Sequence, residues 1–147
     1  MRSIVLNQPE RVIPFVDSTN PNGEHFPLTC YSLGVEDGEG KLIGGVVFTG
    51  YDGLGIVLHS GSTTPYWITK QFLRLVFSYP FKQLGCRRLS TLVRTDNPHA
   101  QDFALHAGFV LEGCLRGAEP DGTDLLFYGM LANECRWLGD SNGKEKL

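Results

Sequence analysis

Apolar and polar positions change rhythm several times along the chain, and each change marks an element. After Pro9-Glu10, the residues Val12, Ile13, Phe15 and Val16 predict a short helix up to Thr19, which Asn20-Pro21-Asn22-Gly23 then breaks. The runs from Thr29 to Glu36 and from Lys41 to Gly50 flank Asp37-Gly38-Glu39-Gly40, a pattern that reads as strand, tight turn, strand. A second turn at Asp52-Gly53 leads into Gly55 to His59, a short apolar run suited to a buried central strand, which completes a meander. From Tyr66 to Lys82, the residues Trp67, Phe72, Leu73, Leu75, Val76, Phe77 and Phe81 fall among Lys70, Gln71, Arg74 and Ser78 as one broad helical face. Pro65 sits where the first helical position tolerates proline, and Pro80 ends or kinks the last turn because it has no N–H to donate.

The second half alternates elements more tightly. Arg88 to Arg94 reads as a strand, Pro98 to Ala107 as a helix, and Phe109 to Leu115 and Asp124 to Leu131 as two more strands. Asn97 before Pro98 suits an N-cap, and Gly108 a left-handed C-cap, with Phe109 turned into the core. The order helix, meander, long helix, strand, helix, strand, strand predicts an α+β protein with helices packed on a mixed sheet. A single domain over 1–138 with a polar, mobile tail over 139–147 is expected.

Composition narrows the partners. A chain of 147 residues with 41% hydrophobic and 20% charged residues is long enough for one well-filled core. Its net charge of -3 offers no field to hold a nucleic acid backbone, so no nucleic acid partner is expected. Cys30, Cys86, Cys114 and Cys135 are far apart, which disfavours a zinc site and suits free thiols in a reducing compartment. No apolar stretch approaches the roughly 20 residues that span a bilayer, and Met1 to Pro9 is too short and polar for a signal peptide. A soluble, cytoplasmic protein with no membrane partner is expected.

The stretch from Asn97 to Leu131 carries a family resemblance. Asn97 and Ala100, then Gly108-Phe109, then Glu112-Gly113 and Arg116, then Gly122 and Asp124, then Tyr128, Met130 and Leu131 resemble the motif series of the GNAT N-acetyltransferases, in particular their RimJ/RimL-like branch. Tyr79-Pro80-Phe81 and Glu134-Cys-Arg-Trp-Leu138 also resemble compact members found in phage and prophage genomes. The resemblance implies a GNAT-like fold, with a central, mostly antiparallel sheet of six to seven strands flanked by helices. It also implies acetyl-CoA as cofactor and direct attack on the acetyl thioester by an amine, borne by a small molecule or a protein, in a ternary complex. A homodimer is among the states expected. The rival reading is a GNAT-fold binding or assembly module without catalysis.

Site residues follow from the same resemblance. The thioester would be polarised by backbone groups at a splay in the fourth strand, which maps to Val57, Leu58 and His59. The phosphate loop maps to Thr64 through Thr69, where Trp67 stands in place of a glycine, and Thr64, Trp67, Ile68, Thr69 and Lys70 are the cofactor-binding candidates there. Asn97 would bond pantetheine, cap the helix, or do both. His59 is the favoured base because an unperturbed imidazole titrates near ~6.5. Glu112 is the alternative base, ahead of Asp52 and Glu36. Tyr128, Tyr66 or Ser60 would protonate the leaving thiolate, since Ala104 stands where many GNAT enzymes carry a tyrosine. Arg116 and Asp124 are expected to pair across the last two strands. The loops Pro21 to Pro27 and Gly117 to Thr123 would set the acceptor.

Overall fold

A computed structural model describes residues 1–139, so the tail expected to be mobile falls, from residue 140 on, outside the described residues. The described chain forms seven strands and three α-helices: β1 (Ser3–Leu6), α1 (Pro9–Thr19), β2 (Tyr31–Glu36), β3 (Leu42–Thr49), β4 (Gly55–Ser62), α2 (Lys70–Ser78), β5 (Arg88–Arg94), α3 (Pro98–Ala107), β6 (Val110–Leu115) and β7 (Leu125–Leu131). They make one mixed sheet in the order β1-β2-β3-β4-β5-β7-β6, in which only β4 and β5 run parallel. No helix among the described residues is long and apolar enough to cross a membrane. All four cysteines are free thiols.

Alternation along the strands separates two cores. Val47 of β3 faces α1, where it is buried with Val5, Val12, Ile13 and Val16. Its neighbour Val46 faces the other side, with Phe48, Ile56, Leu89 and Met130, beneath Phe72, Val76 and Phe77 of α2 and Ala104 and Ala107 of α3. Each core removes large aliphatic and aromatic side chains from water, the main favourable term in folding.

Local chemistry explains most boundaries. Asn97 caps α3 by accepting the Ala100 N–H at 3.2 Å, Pro98 fills the first turn, and Gly108 closes the helix at φ 108°, a left-handed conformation costly for any residue with a Cβ. α2 starts four residues later than the apolar pattern suggests. Trp67 is drawn into the core, 5% exposed, and Thr69 caps the helix by accepting the Phe72 N–H at 3.1 Å, so Pro65 lies in the preceding loop. Pro80 acts as expected: the helix gives way after Ser78 to a π-helical turn over Tyr79–Gln83, closed by Leu84 N–H to the Tyr79 carbonyl at 3.0 Å. The strand β1 was not expected. Ile4 and Val5 extend because they pair with Val35 and Gly34 of β2, a tertiary cause invisible to a short window.

Candidate active site

β4 and β5 pair for only four residues. Their ladder runs from Gly55↔Arg88 to Leu58↔Thr91, where the Thr91 hydroxyl also donates to the Leu58 carbonyl at 2.9 Å. Beyond that point β4 continues to Ser62 along β3, whereas β5 continues to Arg94 along β7. The two strands therefore part, and the β5-facing edge of β4 is left open from His59 onward.

Two clefts meet at this gap. The larger, an open cleft of about 860 Å³, lies on the α2 side and is walled by Leu58, Ser60, Trp67, Ile68, Asn97 and Phe103, among others. The smaller, of about 590 Å³, is lined by Asn20, Asn22, His59, Thr91 and Asn97 and opens towards the loop after α1. Their walls are largely apolar with a few convergent polar groups, the usual make-up of small-molecule sites. His99, at the start of α3, also lines the larger cleft.

Of the cofactor-binding candidates, Leu58, His59, Trp67, Ile68 and Asn97 line this pair of clefts. The others sit elsewhere. Val57 faces α1's side of the sheet opposite Thr49. Thr64 accepts the Tyr66 N–H at 3.5 Å in an exposed turn, Thr69 is used as the α2 cap, and Lys70 is exposed at the first helical position. Trp67 is packed against Gly44 of β3, where an added Cβ would collide with the indole, and tilts against Phe72 at 5.2 Å.

The catalytic candidates divide more sharply. Glu112 is paired with Arg88 at 2.7 Å, at the end of β5 away from the splay, so its carboxylate serves the sheet. Tyr128 is 2% exposed and its phenol is pushed up by burial; it is absent from the lining of both clefts. Asp124 does not pair with Arg116; its Oδ1 accepts the Gly117 N–H at 2.7 Å and holds the β6–β7 turn. Ser60 remains in both clefts.

His59 is where the structure adds most. Its imidazole is 9% exposed and lies under Phe26, ring centroids 4.6 Å apart. Nε2 is 2.7 Å from the Thr49 hydroxyl, and Nδ1 is 3.3 Å from Glu24 Oε2. The carboxylate can only accept, so we assign the proton to Nδ1, which leaves Nε2 to accept from Thr49. Burial pulls the imidazole down to about 4, so at neutral pH the ring is uncharged. Glu24 moves the opposite way: burial raises it, helped by the nearby Glu119, while a hydrogen bond from Asn22 opposes the rise. Glu24 and Thr49 escape a sequence reading, because their link to His59 depends on the β3/β4 register and on how the Asn20–Thr29 loop folds back.

The loop between β6 and β7 is fixed across the gap by one arginine. Arg94, at the end of β5, donates to Asp96, Glu119, Asp121 and Thr123 at distances between 2.7 and 3.1 Å. Glu119 is thereby held buried near Glu24.

The fold has known counterparts. A mutant of the spermidine N-acetyltransferase SpeG from Vibrio cholerae superposes with a TM-score of 0.70 at 15% identity, covering 90% of this chain and 94% of that one. A GNAT-family acetyltransferase from Bacillus anthracis gives 0.66 at 17% identity over 90% and 96%. The fold is the GNAT acetyltransferase fold. A candidate acetyltransferase from T. thermophilus gives 0.62 at 23% identity over 72% of this chain and 61% of that chain, so this chain spans about three fifths of it. No family model matches the sequence, and no curated protein matches it either. The GNAT likeness is thus one of backbone architecture, with the seven-strand sheet and the parallel β4/β5 pair at its centre.

Proposed function

We propose that the chain transfers an acetyl group from acetyl-CoA to a primary amine. The parting of β4 from β5 beyond Leu58↔Thr91 supports this, because two adjoining clefts meet at that one open strand edge. Such an edge presents backbone N–H groups without ladder partners, suited to an extended amide-bearing arm and to a developing oxyanion.

The residues fit the cofactor. Leu58, Ile68, Trp67 and Phe103 would wall its arm, with Ser60 and Asn97 as polar contacts. The start of α2 would face its phosphates. Thr69 takes the Phe72 N–H, and the Lys70 and Gln71 N–H groups and the Lys70 ammonium remain for an anion. When bound, the cofactor supplies an acetyl thioester: the amine nitrogen bonds the acetyl carbon, the C–S bond breaks with its electron pair on sulfur, and the amine's proton ends on the thiolate. Ser60 is the hydroxyl in both clefts that could pass that proton. The acceptor would approach from the smaller cleft, between the Asn20–Thr29 loop and the β6–β7 loop. Glu112-Gly113 and Arg116, with the following Gly122 and Tyr128, support placement in the RimJ/RimL-like branch.

Isothermal calorimetry tests the reading. Acetyl-CoA is expected to bind with measurable heat and to raise the melting temperature, since a ligand at 100 times its Kd adds about 2.7 kcal/mol to the native state. No heat at submillimolar acetyl-CoA would refute it.

A further inference from the structure

We propose that the smaller cleft selects an acceptor whose amine is uncharged at neutral pH, a weakly basic arylamine, and turns away an alkylammonium of the same size. This rests on the acetyl-transfer reading above and assigns a substrate class to it.

Three observations carry the assignment. First, among the described residues the lining of the smaller cleft holds no Asp, Glu, Lys or Arg. Its polar groups are the amides of Asn20, Asn22 and Asn97 and the hydroxyls of Ser60 and Thr91, and the adjoining larger cleft adds no such charge. Second, the charges around it are engaged with other groups. Glu24 lies outside the lining, faces His59 Nδ1 at 3.3 Å and is hydrogen bonded to Asn22, while Glu119 is held by Arg94 at 3.1 Å. His59, the one titratable side chain among the described lining residues, is neutral, with Nε2 accepting from Thr49 at 2.7 Å and Nδ1–H turned to Glu24. A ring in that state has no lone pair with which to relieve an ammonium of its proton. Third, Leu58, Leu92 and Phe103 make much of the remaining wall apolar, a surface that suits the face of an aromatic ring.

Charge then decides which amine enters. An ammonium seated in this cleft would exchange its hydration for neutral acceptors alone, and a buried charge is costly unless it is paired. An alkylamine, with a pKa near ~10.4, is also unprotonated in only about one molecule in 2,500 at pH 7. An arylamine shares its nitrogen lone pair with the ring, stays unprotonated at that pH, and can donate both N–H groups to the amide and hydroxyl oxygens of the lining. The step balances with no protein base at its outset. The nitrogen lone pair forms the N–C bond, the C–S bond breaks with its pair on sulfur, and the proton lost by nitrogen ends on the thiolate, giving an N-aryl acetamide and the free thiol.

An NMR titration of the full chain at pH 7, read on the Leu58 and Leu92 methyl groups, tests this with three probes of one ring size: aniline, cyclohexanol and cyclohexylammonium chloride. Aniline and cyclohexanol are expected to shift those signals saturably, and cyclohexylammonium to bind about tenfold more weakly or worse. Asn20→Asp keeps the oxygen that accepts the Asn22 N–H at 2.8 Å and places a carboxylate in the lining. It should tighten cyclohexylammonium about tenfold and leave cyclohexanol unchanged. Cyclohexylammonium binding as tightly as cyclohexanol, or a folded Asn20→Asp that leaves the ammonium as weak as before, overturns selection by charge. Signals that ignore aniline while acetyl-CoA binds overturn the substrate class and leave acetyl transfer standing. A response to aniline with no acetyl-CoA heat overturns acetyl transfer and leaves the preference of the cleft for uncharged ligands standing.

Discussion

Gly44→Ala probes the most crowded point beside the cleft. Gly44 lies in β3 between Val35 and Ser62, and the indole of Trp67 rests directly on it. A Cβ at position 44 would stand 2.7 Å from Cζ3 of that ring and closer still to two other ring atoms. Carbon atoms prefer roughly 3.5–4.0 Å, so the ring would have to retreat by about 1.5 Å. It has little room, being 5% exposed and flanked by Phe72 at 5.2 Å. Overpacking of this kind costs about 1–3 kcal/mol. Removing the ring instead, Trp67→Ala, should cost about 3–5 kcal/mol. With the ring gone, the alanine at 44 has nothing to strike. The double variant should therefore be no less stable than Trp67→Ala alone, a coupling of about 1–3 kcal/mol between the two sites. Urea unfolding followed by circular dichroism would measure all three. Additive losses, or a Gly44→Ala cost within about 0.5 kcal/mol, would refute the packing argument.

Two further outcomes concern titration and the arginine clamp. His59 ordinarily titrates near 6.5 and is held at about 4 in the native state, so between those values the unfolded chain binds more protons. Stability should thus fall as pH drops from about 6.5 to 4 and level off below, losing at most ~3 kcal/mol; His59→Gln should flatten that slope in urea titrations run across the window, and an unchanged slope would exclude His59 as its source. Arg94→Met should destabilise the protein, because it strands the Glu119 carboxylate, whose side chain is only 6% exposed. Adding Glu119→Gln should recover part of the loss by chemical denaturation, and no recovery would mean that the charge of Glu119 is not what Arg94 balances.

The parts of the fold legible in the sequence are those with local causes. α1, β5 and α3 begin and end where expected, because proline, asparagine and glycine mark their ends within a few residues. β1 and the start of α2 were misjudged for one reason: their conformations are decided by partners far along the chain, Val35 for Ile4 and Gly44 for Trp67. The site divides the same way. Asn97 belongs to a readable motif series and Leu58 and His59 to a readable apolar run, whereas Thr49 meets His59 through a diagonal across the β3/β4 ladder, and Glu24 through a loop. Trp67 stands where the resembled family has a glycine; the glycine that makes room for its ring, Gly44, lies in a different strand.

The four-residue parallel pairing has a mechanical meaning as well. On either side of it the sheet consists of antiparallel neighbours, β1 to β4 in one half and β5, β7 and β6 in the other. Main-chain ladder bonds join these halves only between Gly55–Leu58 and Arg88–Thr91, so the seam has far fewer of them than an uninterrupted sheet edge would provide. A molecule lying in the gap and gripping β4 on one side and Asn97 on the other would act as an extra rung. Occupancy would then be felt as stiffness of the whole sheet, with amide exchange slowing first along β4 and β5.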